Sequence, residues 1–173
     1  TMGGPYEHSR TLLDVRGFAT EPGEPLPNDD LDLQLVWLHA LENVGPQHID
    51  ADTLGELWLS FITPHWNEYG VAKTNLIQGL RPGLSGDCHS TWKHSNGAWI
   101  RTEIWACAAP ALPALAARYA IEDARVDHGS GEGTVAAAFV AAMQSAAFGG
   151  CRMEECIAVG MAAIPAGSRV AQS

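Results

Sequence analysis

From residue 29 onward the apolar positions recur at helical spacing, and no stretch alternates as a half-buried strand would. In NDDLDLQLVWLHALENV, Asn28 or Asp29 can cap a helix, and Leu31, Leu35, Leu38 and Leu41 form the predicted apolar stripe. In the next helix Thr53 and Glu56 read as a capping box. Leu54, Leu57, Trp58, Phe61 and Ile62 make its apolar face, and Pro64 lies near its end. Residues 63–110 interrupt the pattern with Gly70, Gly79, Pro82, Gly83, Gly86, Gly97 and Pro110. They also hold Trp66, Trp92, Trp99 and Trp105, and disordered chains are poor in aromatics, so a long ordered loop region is predicted there.

Beyond residue 111 the helical pattern returns, with Leu112, Leu115, Ala116, Tyr119 and Ala120 on one face. GEGTVAAAFVAAMQSAAFGG reads as a buried helix whose alanines permit close packing and which Gly149 and Gly150 end. A last clear helix runs from about Met153 to Ile164 and stops at Pro165; Ser168 is placed to cap another. Residues 14–28, rich in Gly, Pro and Glu, read as an exposed loop. The expected fold class is all-α, a compact orthogonal helical assembly with a long ordered loop region.

Composition narrows the function. A length of 173 residues suits one domain over 1–173, and 46% apolar residues suffice for a core. A formal charge of −10 argues against a nucleic acid polymer as partner, because such binding needs a positive footprint. It leaves room for a small phosphorylated ligand and suits divalent cations. No apolar run is long enough for a membrane span, and TMGGPYEHSR lacks the basic and apolar regions of a signal peptide, so a cytoplasmic chain is expected. Cys88, Cys107, Cys151 and Cys156 form no C-x-x-C pair and are expected to be reduced thiols.

The densest chemistry is Asn28-Asp29-Asp30 with Asp32 just beyond. A helix N-cap explains one carboxylate and the helix dipole a second. A hard divalent cation, which wants oxygen ligands, would explain the remainder. Both readings stand on the pattern alone.

NDDLDLQL resembles the Thr-Asp-Asp-Thr segment of the ADP-ribosylglycohydrolases, in which hydroxyl and carboxylates bind a pair of magnesium ions. Asp29 and Asp30 match directly; Asn28 replaces a Thr and keeps an oxygen, while Leu31 replaces the second Thr and does not. MGGPYEHS resembles the end of the family's first helix, with Gly4 and Glu7 in register. SNGAWIRTE resembles the loop that contacts ADP-ribose and matches at Asn96, Gly97 and Arg101. EDARVDHGSGEGTVAAAFVAAMQSAAF resembles the D-A-x-x-T-H segment and the helix after it, matching at His128, and IPAGSRV resembles the I-P-x-x-S stretch.

The resemblance implies a hydrolase that cleaves the glycosidic bond of an ADP-ribosyl group with two Mg2+ ions, Mn2+ being a substitute. Asn28, Asp29 and Asp30 would hold metal; Glu7, Asp29 and Asp30 would be catalytic; Asn96, Gly97, Arg101 and His128 would bind ADP-ribose or an ADP-ribosylated substrate. Each has a structural alternative: Glu7 as an exposed carboxylate, Arg101 paired with Glu103 or Asp87, His128 as a helix C-terminal residue favouring the dipole. His65, His89 and His94 read as loop residues. The resemblance equally admits a catalytically inactive, ADP-ribose-binding or crystallin-like member of the fold. It also implies an incomplete domain, because the family's Gly-Asp opening would precede Thr1 and its Asp-x-Asp-Thr motif would follow Ser173. The remaining segments of the same domain are then expected partners. DADT at 50–53 precedes the wrong helix to be that motif, and its Thr53 serves better as a cap.

Overall fold

Helices make up the regular structure of residues 29–63 and 67–173, the part of the chain that the computed structural model describes, and no strand occurs among them. The all-α expectation holds. The first helix, α1, spans Asp29–Asn43 and buries Leu33, Trp37 and Ala40. Most of the expected leucine stripe faces outward instead: Leu31 is 65% exposed, Leu35 63% and Leu38 41%, and only Leu41 packs on the core. The two stripes share one spacing but differ by two residues, or about 200° around the helix. Trp37 decides between them. Its ring stacks on Trp58 (centroids 6.1 Å apart) and on Trp105 (6.2 Å), and an aromatic side chain brings more buried area than a leucine.

Helix α2 spans Ala51–Phe61, and its N-cap is Asp50, whose carboxylate accepts from the Thr53 N–H at 2.8 Å. The expected capping box at Thr53 and Glu56 is therefore replaced by a cap three residues earlier. That N–H holds the Asp50 carboxyl below the usual range, against the smaller opposing effect of burial. Glu122, from a distant helix, accepts from the Ala51 N–H at 2.9 Å. Leu54, Trp58 and Ile62 face the core as expected, whereas Phe61 is half exposed.

The region expected as one long loop is helical over about half of its described residues. It contains α3 (Asn67–Ile77), α4 (Leu84–Asp87), a 3-10 turn at Trp99–Arg101 and α5 (Glu103–Ala108). Helix α3 escaped notice because it buries polar residues, Glu68 and Asn75, beside Tyr69, Gly70 and Ala72, which blurs its apolar face. Asn75 earns its burial by donating to the carbonyls of Ser85 and Cys88, both at 2.8 Å.

Helices α6 (Pro113–Asp127) and α7 (Glu132–Ala147) form the most extensively packed pair among the described helices, with Ala116, Ala117, Ala120 and Ala124 buried on one and Ala137, Ala138, Ala141 and Ala142 on the other. Small residues let the axes approach. Helix α8 (Met153–Ala162) packs on α7 through Gly160, where an added Cβ would lie 2.9 Å from the Phe139 ring. Helix α9 (Arg169–Gln172) is capped by Ser168, as expected. The cysteine expectation is corrected in part: Cys151 and Cys156 form a disulfide that ties the turn after α7 to the first turn of α8, while Cys88 and Cys107 are free. Five residues apart, the pair comes together because a turn and a helix start lie between. Among the described residues no helix is long and apolar enough to cross a membrane.

Candidate active site

A buried ionic cluster organises the centre. Arg101 is fully buried and donates from Nε to both oxygens of Asp123, from Nη1 to the Gly97 carbonyl and Asp127, and from Nη2 to Asp123 and Asp127, at 2.9–3.2 Å. Every N–H of the guanidinium is engaged. Asp123 and Asp127 stand one turn apart on α6 and so face the same way. Trp105 Nε1 also donates to Asp123 at 2.9 Å, and the Arg101 guanidinium lies 5.3 Å from the Trp58 ring centre. Burial alone would raise both carboxyls. Arg101, followed by His128, reverses this for Asp127 and holds it well below the usual carboxylate range. For Asp123, burial outweighs Arg101 and the carboxyl is raised. One cation shared by two buried carboxylates favours ionisation of one over the other. On Arg101, burial is outweighed by the two carboxylates, which keep it charged.

A polar chain runs outward from this cluster. His128, the C-cap of α6 and fully buried, has Nδ1 2.9 Å from the Asp127 carboxylate. Its Nε2 is 2.9 Å from the Ser95 hydroxyl, which donates to Glu68 at 3.1 Å. With the hydroxyl proton directed at Glu68, Ser95 accepts from Nε2–H. Glycines make room for this chain. A Cβ on Gly97 would lie 2.0 Å from Glu68, and one on Gly133 would lie 2.3 Å from the His128 ring.

The acidic start of α1 lies beside the same cluster. Asp29 is exposed, Asp30 half-buried, and Tyr69 Oη donates to Asp29 at 2.8 Å. The Tyr69 ring lies tilted against Trp58, centroids 5.9 Å apart, and feels the charges of Arg101, Asp29 and Asp127. Burial, with Asp29 adding to it, pushes the phenol far up, so its O–H remains a donor. Gln34 fixes α1 from the other side, donating to the Asp30 carbonyl at 2.7 Å and accepting from the Ile104 N–H at 3.0 Å.

The structure thus gathers Gly97, Arg101 and His128 in one buried cluster, links Asp29 to it through Tyr69, which packs on Trp58 beside Arg101, and leaves Asn96 exposed in the adjoining turn. Glu7 and Asn28 lie outside the described residues. The diphosphate expectation for Arg101 needs correcting, since its donors are all taken, and its structural partners are Asp123 and Asp127 rather than Glu103 or Asp87. His128 is equally enclosed, and Gly97 is small to accommodate Glu68. Sequence reasoning missed Glu68, Tyr69, Ser95, Asp123 and Asp127. The spacing of Asp123 and Asp127 was a usable signal, a carboxylate pair on one helix face that required a cation. Tyr69, 40 residues from Asp29, left no local trace.

Hard oxygen donors at the first turn of α1 suit a hard divalent cation, so the donor chemistry fits a metal. Among the described residues no group of three or more His, Cys, Asp or Glu stands close enough to hold one unaided.

An all-α protein with an acidic helix start against a buried polar centre defines a class that comparison makes specific. The family model described as ADP-ribosylglycohydrolase matches residues 1–173, and the chain belongs to that family. Neither the curated proteins nor the solved structures yield a significant match. Membership supports a glycohydrolase function, with ADP-ribosylated molecules as the kind of substrate.

Proposed function

We propose that this protein hydrolyses the glycosidic bond of an ADP-ribosyl group using divalent cations, Mg2+ or in its place Mn2+, held in part by Asp29 and Asp30. The observation that carries the reading is the family match, which spans residues 1–173. Bound cations would supply Lewis acidity toward the ribose hydroxyls and the attacking water. Asp29 and Asp30 would hold them, and the Asn28 amide oxygen would be a further ligand. Asn96, exposed in its turn, meets the substrate. Arg101 and His128 hold the wall behind it rather than touching the diphosphate. Glu7 moves the proton: the bond at the anomeric carbon breaks, water oxygen replaces the leaving group, and the leaving atom gains a proton.

A non-catalytic reading has one observation in its favour. Leu31 stands where the family motif has its second hydroxyl, and its side chain is exposed without an oxygen to offer. Turnover separates the two. The full-length protein is incubated with an ADP-ribosylated protein with and without Mg2+, and released ADP-ribose is measured. Magnesium-dependent release that Asp29→Ala abolishes is expected. Binding of ADP-ribose without release would favour the inactive reading, and normal turnover by Asp29→Ala would remove Asp29 from the site.

A further inference from the structure

The first turn of α3 sends neighbouring side chains to opposite duties. Glu68 turns inward and accepts from Ser95. Tyr69 turns toward α1, and its hydroxyl reaches the Asp29 carboxylate at 2.8 Å. The two differ in setting: Asp29 is exposed, while Tyr69 retains only 3% of its exposure. An exposed aspartate on a helix's first turn would otherwise choose among rotamers. The Tyr69 ring cannot wander, because it packs on Trp58, which packs on both Trp37 and Arg101. Trp37 belongs to the same helix as Asp29, so one aromatic stack sets both the helix and the donor aimed at its first carboxylate. One Asp29 oxygen, Oδ2, is the acceptor, which orients the carboxylate plane and hence the direction that Oδ1 faces.

We propose that Tyr69 is a positioning residue for the divalent cation, holding Asp29 in the orientation a ligand needs. The inference rests on the reading that Asp29 binds metal. Hydrogen-bond partners of metal ligands characteristically set affinity by fixing ligand orientation, and losing one costs about 10–100-fold. The contact is specific to the hydroxyl. Tyr69→Phe removes it and keeps the ring against Trp58.

The test is calorimetric titration of Mg2+ into the full-length wild type, Tyr69→Phe and Asp29→Ala, with melting of each in the absence of metal. Tyr69→Phe should weaken Mg2+ binding about 10–100-fold while melting close to the wild type without metal. Excess Mg2+ should then restore its turnover, a recovery that damaged packing would not show. Wild-type Mg2+ affinity in Tyr69→Phe, with affinity lost in Asp29→Ala, overturns the positioning role and leaves Asp29 as a ligand. Unchanged affinity in Asp29→Ala, or a wild type that binds no Mg2+, overturns both.

Discussion

Two sets of carboxylates in this protein meet opposite fates. Asp123 and Asp127 are sealed in the core, share one guanidinium and are further tied by Trp105 and His128. Asp29 opens α1 at the surface with Asp30 and Asp32 close behind, and among the described residues it accepts from the neutral hydroxyl of Tyr69. Charge compensated inside the protein is architecture, since desolvating it is tolerable only when it is paired. Asp29, exposed at a helix start, is spared that desolvation. The contrast assigns Arg101 to the scaffold and leaves Asp29 accessible for the role proposed above.

The largest effect should come from breaking the buried set. Arg101→Met leaves two carboxylates in the core without a cation and should cost about 3–5 kcal/mol of stability, measured by urea unfolding. A loss below about 1 kcal/mol would mean that Arg101 is available for another role. Overpacking the frame should cost less. Ala142→Phe, at a fully buried position of α7, and Gly97→Ala, whose Cβ would collide with Glu68, should each cost about 1–3 kcal/mol. A wild-type melting temperature for either variant would show slack where the packing shows none.

Acid should distinguish the two buried carboxylates. Because Asp127 has a depressed pKa, its contribution is fully present above the unfolded value of about 3.9 and is lost as pH falls through its folded value. Asp123 is raised and acts in the opposite sense, its cost at neutral pH easing as it takes up a proton. Asp50 and Asp87 are lowered and add to the acid-side loss. Unfolding free energy measured from neutral pH down to about pH 2 should therefore fall below about pH 4, and Asp127→Asn should flatten that limb. An unchanged slope in the variant would contradict the assignment. The smallest stability effect belongs to the surface set. Asp29→Ala should cost about 1 kcal/mol, the hydrogen bond from Tyr69, while abolishing release of ADP-ribose. A large loss of stability would move Asp29 into the scaffold and collapse the contrast.

The helices after residue 111 were legible because their evidence is local. Apolar spacing marks α6, α7 and α8; Gly150, at a positive φ of 79°, follows α7, Pro165 follows α8, and Ser168 caps α9. The acidic start of α1 was legible for the same reason, as consecutive residues whose charges demand an explanation. Other features needed the third dimension. Helix α1 carries two stripes of equal spacing, and only the stacking of Trp37 with Trp58 and Trp105 selects which is buried. Arg101 had several acidic candidates along the chain, and its pairing with Asp123 and Asp127, 22 and 26 residues away, follows from how α6 packs. Periodicity and capping are interactions within a turn or two, so the sequence alone determined where most helices lie and which carboxylates cluster. Burial, helix rotation and the partners of a charged group depend on distant segments meeting, and those the tertiary structure decided.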